Sequence, residues 1–511
     1  MVDKNYIIAY DVGTGGVKAA IVDLEGKVLA TTYREFNLYY PRPGWVEQKP
    51  EEWWEGFVET TKEVLKISKI PPESILAVAP SGQMLNLLPV DKNGNPLRPA
   101  ISWLDVRTVK QAEWLEQYAK MIYNITGGYP SAKDIIARVL WLKENEPQIF
   151  EKAYKLIDCK DFIDFKLTGN FVTDWNNASM YVLFDIRKRE WSKEVCDLIG
   201  LPIEKLPEPH PSTDVIGEVT DKAAKETGLK GGTPVIATGG DIASAAVGAG
   251  ATAHKSTHLS LGTATWIGIL TKDVVLDPQM RFVLCCSSDP SKWLIWGEME
   301  TGGGAFRWFR DTLGLEEKKE AVKIGISAYD LLSNQAEKVP PGSDGLIFTP
   351  WMSGERCPIN DAYVRGAFIG LKLGHTKAHM VRAVMEGVAF HIRWIIDVVE
   401  EASGFKIEYI NAIGGGAQNK LWMQIFADIT GKIMRVVEFP LEAGAVGAAF
   451  TAAVGLGVYK NFEEIEKLVP IKNEYTPIEE NAQKYEKIYE IFTDIYYSLK
   501  ETYKKIYTAF Y

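Results

Sequence analysis

Residues 7–26, IIAYDVGTGGVKAAIVDLEG, and residues 256–275, STHLSLGTATWIGILTKDVV, have the same layout. Each stretch has a β-prone run, a small-residue turn that contains Gly-Thr, a second β-prone run and a charged turn. Two short β-prone runs separated by such a turn predict a β-hairpin. The repeat therefore predicts two related α/β domains, residues 1–250 and 256–511, with a cleft between them.

The first turn carries groups that suit a bound phosphate. Gly13 lets backbone N–H groups approach an anion, and Thr14 adds a hydroxyl donor. Asp11 would repel a phosphate, so its useful role is to hold a divalent cation, through water, against phosphate oxygens. The alternative is that Asp11 only caps a glycine-rich hairpin. The second turn, with Gly262 and Thr263, favours phosphate, because two such hairpins facing one cleft are the layout of actin-like ATPases and sugar kinases.

Composition narrows the class of partner and the compartment. The formal charge of −10, without a Lys/Arg-rich block, argues against a nucleic acid or a membrane as the main partner and favours a small molecule. The five cysteines show no Cys-x-x-Cys spacing, which fits a reducing cytoplasm. The N-terminus lacks the pattern of a signal peptide, and the small-residue run 443–454 is too short to span a bilayer. We therefore expect a cytoplasmic protein, with a homodimer possible.

Strand and helix patterns alternate along the chain, which predicts α/β domains. Buried strands are predicted within residues 75–84, 232–241 and 408–416. The C-terminal tail is predicted to be an amphipathic helix. Apolar residues recur at helical spacing in several further segments, and the helices predicted from them lie within residues 51–66, 108–120, 132–147, 160–169, 242–251, 419–431 and 442–457.

The sequence resembles the FGGY carbohydrate kinases, and most closely their xylulokinase branch. The matching motifs stand in the family's order; they are YDVGTGGVKAAIVD (10–23), SGQM (81–84), PLRPAISWLDVRT (96–108), LTGNFVTDWNNAS (167–179), GTPVIATGGDIASAAVGAG (232–250), GLIFTPWMSGERCPINDAYVRGAFIGL (345–371) and AIGGGAQNKLWMQIFADITG (412–431). The resemblance implies two actin-like (ribonuclease H-like) domains. It also implies transfer of the γ-phosphate of ATP, with Mg²⁺, to a primary hydroxyl of a small sugar such as D-xylulose.

The resemblance also assigns residues to the sugar and to the chemistry. Asp241 is implied to be the general base that takes the proton of the attacking hydroxyl, while a helix N-cap is the alternative. The sugar-binding residues that the family motifs imply are Gln83, Met84, Trp103, Asp105 and Arg107. An aromatic face packs on the C–H side of a sugar, and carboxylate and guanidinium groups bind hydroxyls. For Arg107, a surface ion pair beside a buried Trp is almost as good an interpretation.

Nucleotide-binding roles follow from the same resemblance. Besides the two Gly-Thr turns, the implied residues are Lys18, Gly414, Gly415, Gly416 and Asn419. Glycines between a strand and a helix admit a flat adenine or a phosphate to the helix N-terminus. Close packing of the helix on the strand is the alternative explanation for the three glycines.

The chain departs from the xylulokinase pattern at the sugar. That branch usually has His-Gly after SGQM, where this chain has Leu85-Asn86, and Asn after the catalytic Asp, where this chain has Ile242. Losing a hydrogen-bonding partner weakens discrimination for the matching hydroxyl. Another ketose, a polyol such as xylitol, erythritol or glycerol, or a sugar acid such as gluconate therefore stays open as the substrate.

Two other classes of protein compete with a sugar kinase. An actin-like ATPase that acts as a switch would share the hairpins but would not need the WLDVRT and GGD segments. A dinucleotide-dependent dehydrogenase is excluded, because no G-x-G-x-x-G follows the first strand. Within the motif 345–371, we expect Glu355 and Arg356 to have a structural role, such as an ion pair that orders the loop.

Overall fold

The computed structural model describes residues 5–510, which form an α/β protein. The strands, in chain order, are β1 (Tyr6–Val12), β2 (Gly16–Asp23), β3 (Val28–Glu35), β4 (Glu47–Gln48), β5 (Ile75–Gly82), β6 (Leu88–Val90), β7 (Ala100–Ile101), β8 (Lys155–Ile157), β9 (Val172–Asp174), β10 (Phe184–Asp185), β11 (Glu190–Trp191), β12 (Glu208–His210), β13 (Val215–Glu218), β14 (Pro234–Ile236), β15 (Thr257–Leu261), β16 (Thr265–Thr271), β17 (Val283–Cys286), β18 (Trp293–Met299), β19 (Ile347–Thr349), β20 (Ala367–Ile369), β21 (Tyr409–Ile413), β22 (Ile433–Val437) and β23 (Ile471–Tyr475).

The helices range from single turns to the long C-terminal helix. In chain order they are α1 (Pro50–Ser68), α2 (Val109–Leu115), α3 (Ala119–Thr126), α4 (Ile135–Asn145), α5 (Pro147–Lys152), α6 (Cys159–Thr168), α7 (Trp175–Met180), α8 (Lys193–Leu198), α9 (Asp221–Thr227), α10 (Asp241–Gly248), α11 (Gly303–Thr312), α12 (Leu315–Ile324), α13 (Ala328–Ala336), α14 (Lys377–Ser403), α15 (Lys420–Thr430), α16 (Ala443–Gly455) and α17 (Glu479–Phe510).

Both predicted hairpins are confirmed, and each lies in a large sheet. One sheet has the strand order β13-β14-β5-β1-β2-β3, and the other β17-β18-β16-β15-β21-β22-β23. In the first, β1 is antiparallel to β2 and parallel to β5. In the second, β15 is antiparallel to β16 and parallel to β21. The two sheets therefore repeat one pattern, a hairpin with a parallel strand beside its first strand.

The chain divides into two compact units. The first contains the chain up to His254 together with Leu270–Ile295 and Glu442–Val469, and the second contains Lys255–Ile269, Trp296–Leu441 and the chain from Pro470. The domain ranges 1–250 and 256–511 stay a prediction, since the units do not follow the order of the chain.

The core of the first unit follows from the alternation of side chains along β1. Ile8, Tyr10 and Val12 are buried in a cluster with residues of α1 and α6. Ile7 and Ala9, which point to the opposite face, are buried with the alanines of α16. Successive side chains of a strand alternate between the faces of its sheet, so β1 is covered on both sides and all five residues are apolar.

Most of the predicted helices and strands are confirmed at their predicted places. The segment 108–120 differs: α2 ends at Leu115, and a 3₁₀ turn at Glu116–Tyr118 separates it from α3. At the loop where a structural role was predicted, the buried Glu355 carboxylate accepts the backbone N–H groups of Glu300 and Arg356, and the Arg356 guanidinium forms an ion pair with Glu298 at 3.4 Å. None of the helices within residues 5–510 has an apolar run long enough to cross a membrane.

Candidate active site

The first hairpin places Asp11 and Lys18 side by side in the first unit. They are directly opposite each other in the register of β1 and β2. Burial raises the pKa of Asp11, and the positive charge of Lys18 acts against that rise. Asp11 keeps a partly exposed side chain. The hairpin therefore presents a carboxylate and an ammonium group next to the Gly-Thr turn.

Packing explains one of the glycines of this turn. Neither Gly13 nor Gly15 has a positive φ. Gly16 is required by packing, because a Cβ atom there would lie 2.3 Å from the Arg34 carbonyl oxygen of β3. The predicted phosphate contact of Gly13 and Thr14 stays a prediction.

A chain of hydrogen bonds joins this turn to the loops that are predicted to bind the sugar. The Trp103 indole N–H donates to the Thr14 hydroxyl at 2.7 Å. The Gln48 amide donates to the Thr14 carbonyl oxygen at 2.9 Å, and Gln83 donates to Gln48 Oε1 at 3.0 Å. Gln83 and Met84 are buried, while Trp103 is partly exposed. Gln48 was missed from the sequence, since it lies 34 and 35 residues from its two partners.

Asp105 and Arg107 form an ion pair in the protein interior. Their side chains are fully buried, with Arg107 Nη2 2.7 Å from Asp105 Oδ2 and 2.9 Å from Glu47 Oε1. Asp105 also accepts the Val46 N–H at 2.6 Å, and the guanidinium lies 3.8 Å from the centre of the Trp45 ring. The surface ion pair considered for Arg107 is therefore wrong. The predicted sugar contacts stay a prediction, and these bonds give both residues a supporting role in the loop of Trp103.

Asp241 is the first residue of α10 and has a partly exposed side chain. The N-cap of this helix is Gly240, so Asp241 is not the cap residue that the alternative interpretation proposed. Met84 lies against this turn, because a Cβ atom on Gly240 would be 2.1 Å from its sulfur. The structure thus packs Met84 against Gly240, the residue that precedes Asp241.

The departures from the xylulokinase pattern lie at the same place. Leu85 and Ile242 are each 5% exposed. Leu85 has φ of +68°, a left-handed backbone that is rare for a bulky residue. Asn86 is buried, and its backbone N–H and side-chain amide both donate to the Asp158 carboxylate. Its Oδ1 accepts the backbone N–H of Trp103 at 3.3 Å. Asn86 therefore connects the loop after SGQM to the loop of Trp103.

A cavity of about 610 Å³ in the second unit contains most of the predicted nucleotide residues. Gly262, Thr263, Gly415, Gly416 and Asn419 line it, and Gly414 does not. Gly414 instead has φ of +85°, and a Cβ atom there would lie 2.8 Å from the Leu261 carbonyl oxygen, so strand packing explains this glycine. A volume of this size suits a nucleotide-sized ligand. Asn419 has a structural role as well, since it caps α15 by accepting the Trp422 N–H at 3.0 Å.

The cavity also contains residues that the sequence analysis missed. Arg307 and Arg310 of α11 line it, together with the aromatic residues Phe306, Tyr329 and Trp422. Arg307 donates to the Thr263 hydroxyl, and the Arg310 guanidinium lies 4.6 Å from the centre of the Tyr329 ring. Cationic groups beside a Gly-Thr turn suit phosphate, and aromatic faces suit a base. Arg307 and Arg310 are three residues apart, a spacing that puts two side chains on the same face of a helix, and this spacing was the signal that the sequence offered.

The donors for a metal ion beside the first turn are few. No group of three or more His, Cys, Asp or Glu side chains within the described chain is arranged to hold a metal. Mg²⁺ usually binds through one or two carboxylates together with phosphates of the substrate. The single carboxylate of Asp11, partly exposed beside the turn, fits that mode of binding.

Comparison with known proteins identifies the family. The model of the FGGY family of carbohydrate kinases, N-terminal domain, matches residues 6–248, and that of the C-terminal domain matches residues 258–456. Xylulose kinase of Bacillus subtilis (strain 168) is 32% identical over 499 residues, 97% of each chain. Gluconokinase of the same strain is 28% identical over 504 residues, 98% of each chain. The crystal structure of ligand-bound xylulose kinase from Lactobacillus acidophilus is similar with a TM-score of 0.90 at 28% identity, covering 98% of this chain and 99% of that one.

These matches span both predicted domains and decide between the alternatives. The predicted α/β fold of two carbohydrate-kinase domains is confirmed. The interpretation as an actin-like switch protein is not supported, since both family models describe carbohydrate kinases. The chain belongs to the FGGY family of carbohydrate kinases.

Proposed function

We propose that this carbohydrate kinase transfers the γ-phosphate of ATP, bound with Mg²⁺, to a primary hydroxyl of a pentulose such as D-xylulose. The observation that carries the proposal is the position of Asp241, a partly exposed residue that begins α10, with Met84 packed against the preceding Gly240. A carboxylate there can accept the hydroxyl proton while the positive end of the helix dipole faces the reacting groups. The xylulose kinases among its relatives support the choice of sugar.

Each remaining site residue has a role in this proposal. The Trp103 ring, fixed by its bond to Thr14, packs on the C–H face of the sugar. Asp11 and Lys18 lie beside the transferred phosphate, with Asp11 holding Mg²⁺. The metal supplies charge neutralisation at the phosphate oxygens. In the second unit, Arg307 and the Gly262-Thr263 turn bind phosphates, and the aromatic residues enclose the base.

A sugar acid such as gluconate is the second candidate substrate. Its support is the Lys133 ammonium group, 5.8 Å from the centre of the Trp103 ring, where it can attract a carboxylate. The apolar Leu85 and Ile242 weaken the case for D-xylulose. A gluconokinase among the relatives adds to this alternative.

A screen of ATP consumption with and without MgCl₂ tests the proposal. D-Xylulose, other pentuloses, gluconate, xylitol, erythritol and glycerol would be compared at equal concentration. We expect turnover that depends on the metal and is strongest with D-xylulose. Stronger turnover with gluconate would select the second candidate, and ATP hydrolysis indifferent to every compound would reject both.

We also propose that the enzyme works in the cytoplasm, where ATP is available. We further propose that it works as a homodimer or a monomer with small-molecule substrates and without a nucleic-acid or membrane partner. Light scattering during size-exclusion chromatography would distinguish the two oligomeric states.

A further inference from the structure

We propose that Lys160 and Asn176 are positioning residues that hold the backbone segment 237–240, immediately before Asp241. The inference rests on the proposed role of Asp241 as the general base. Both side chains are fully buried, so neither touches the substrate. Each binds one end of the segment through a hydrogen bond to a backbone group, the Ala237 carbonyl or the Gly240 N–H, that lies outside β14 and α10.

Lys160 holds the first end of the segment. Its ammonium group donates to the Ala237 carbonyl oxygen at 2.6 Å and to Asp164 Oδ2 at 2.8 Å. A second carboxylate, Asp174 Oδ2, lies 3.4 Å away. Because two buried carboxylates surround the ammonium group, the lysine stays charged without water and its bond to the carbonyl is charge-assisted.

Asn176 holds the second end. Its Oδ1 accepts the Gly240 N–H at 3.2 Å, and its Nδ2 donates to the Cys286 carbonyl oxygen at 2.7 Å. Asp174, which contacts Lys160, also caps α7 by accepting the N–H groups of Asn176 and Asn177. The two anchors therefore belong to one buried polar cluster.

The segment between the anchors has an unfavourable backbone conformation. Thr238 has φ of +50°, which is rare for a β-branched residue. Its hydroxyl donates to the Pro80 carbonyl oxygen in β5. Such a conformation persists only when the surroundings fix it, and it is commonly found at functional sites. The two anchors supply that constraint, and the conformation they maintain directs the chain into α10 at Asp241.

Holding this segment matters because proton transfer depends on geometry. A general base must lie within hydrogen-bond reach of the proton it takes, and a displacement of about 1 Å can cost about 100-fold in rate. Releasing either anchor should therefore lower kcat by about 10-fold to 100-fold. The KM for ATP should change less than about twofold, since these residues and the nucleotide cavity belong to different units.

The first test compares Asn176→Ala with Asn177→Ala. Asn177 is the next residue of α7 and equally buried, but its amide binds Asp161 and Thr173 instead of the segment. We expect kcat to fall in Asn176→Ala only. The thermal unfolding transition of each variant would show that both proteins are folded. Equal kcat values in the two variants would overturn the proposal for Asn176.

The second test compares Asp164→Asn with the double variant Lys160→Met/Asp164→Asn. The single change disturbs the ion pair but keeps the bond to Ala237, while the double change removes one charge of each sign and releases that bond. The kcat loss is expected only in the double variant, and equal values in both would overturn the role of Lys160. If either protein of this pair fails to fold, the comparison of Asn176 with Asn177 decides whether the segment must be held.

Amide hydrogen exchange separates this inference from the proposed function. Residues 237–241 should exchange faster in Asn176→Ala and in the double variant than in their matched controls. Faster exchange with no detectable kinase activity in any protein, the unmodified one included, would contradict the proposed function and leave the anchoring standing. Unchanged exchange would contradict the anchoring itself.

Discussion

At the scale of single residues, the two carboxylates of the site differ in what surrounds them. Asp11 stands opposite a lysine within a strand, and Asp241 begins a helix. The proposed roles follow these surroundings: a carboxylate opposite a cation and beside the Gly-Thr turn suits a metal, and a carboxylate at a helix N-terminus, with Met84 packed against the preceding Gly240, suits proton transfer.

Replacement of Asp241 tests the base. Asp241→Asn keeps a hydrogen-bonding side chain but loses the basic oxygen, so kcat should fall by about 10²–10⁴-fold while the dissociation constant of the sugar changes little. Steady-state kinetics with the best substrate, and calorimetry for sugar binding, would measure both. A variant that keeps more than about a tenth of the kcat would show that Asp241 is not the base.

Replacement of Asp11 tests the cation. Asp11→Asn removes the charge that would attract Mg²⁺ but keeps the size of the side chain. We expect the MgCl₂ concentration for half-maximal rate to rise by about 10-fold or more, since a carboxylate is a stronger ligand of Mg²⁺ than an amide. An unchanged metal dependence would remove Asp11 from the metal site.

At the scale of secondary-structure elements, α6 begins after Asp158, a carboxyl group whose pKa is raised. Asp158 caps this helix and shares a capping box with Asp161. Burial, and next the charge of Asp161, raises the pKa of Asp158 from 3.8 to about 7. Burial also raises the pKa of Asp164 in the same helix, and the ammonium group of Lys160 acts against that rise. The N-cap of α6 therefore holds a proton in the folded protein that the unfolded chain would release.

This difference predicts how stability changes with pH. Between about pH 4 and pH 7 the folded state binds the proton more tightly, so raising the pH through this window lowers the free energy of unfolding. The stabilisation is complete below about pH 4 and is lost as the pH passes the raised pKa. Asp158→Asn, which keeps the cap, should flatten part of this slope in urea unfolding measured from pH 4.5 to 7.5. A slope identical to that of the unmodified protein would contradict the raised pKa of Asp158.

Elements with a clear apolar period could be predicted from the sequence, and contacts between distant residues could not. The hairpins of β1–β2 and β15–β16 are set by local turn residues and alternation, which the sequence displays directly. The bond from Lys160 to Ala237 joins residues 77 apart, and that from Asn176 to Gly240 joins residues 64 apart. No local pattern distinguishes such residues from other buried polar ones. The positions of Asp241 and Trp103 were accessible only through resemblance to the family.

At the scale of the whole molecule, the residues proposed for the sugar and the cavity proposed for the nucleotide base belong to different units. The residues proposed for the sugar belong to the first unit, and all residues that line the 610 Å³ cavity belong to the second. Binding of sugar and binding of nucleotide should therefore be separable by mutation.

Gly415 offers a selective change on the nucleotide side. It lines the cavity, and a Cβ atom there would have its nearest neighbour 4.0 Å away, so a larger side chain can project into the cavity without disturbing the fold. Gly415→Leu should raise the KM for ATP by about 10-fold or more and leave the dissociation constant of the sugar unchanged, because a branched side chain takes space that the nucleotide needs. Gly374→Leu is the matched control, since Gly374 is exposed, also has open space around it and does not line the cavity. Equal ATP kinetics in the two variants would contradict the assignment of this cavity.

The helix α16 has a consequence for how the protein is made. Its alanines cover the face of the first sheet formed by Ile7, Ala9, Ala20, Val22, Ala77, Ala79 and Ile236. About 200 residues separate Ile236 from these alanines, and a ribosome needs roughly 10–40 s to add that many. During that time α16 has not yet been synthesised, so one apolar face of the nascent sheet is exposed to water. Newly made chains should therefore recruit holdase chaperones until α16 leaves the exit tunnel, and a ribosome stalled before Glu442 should carry a first unit that is still sensitive to protease.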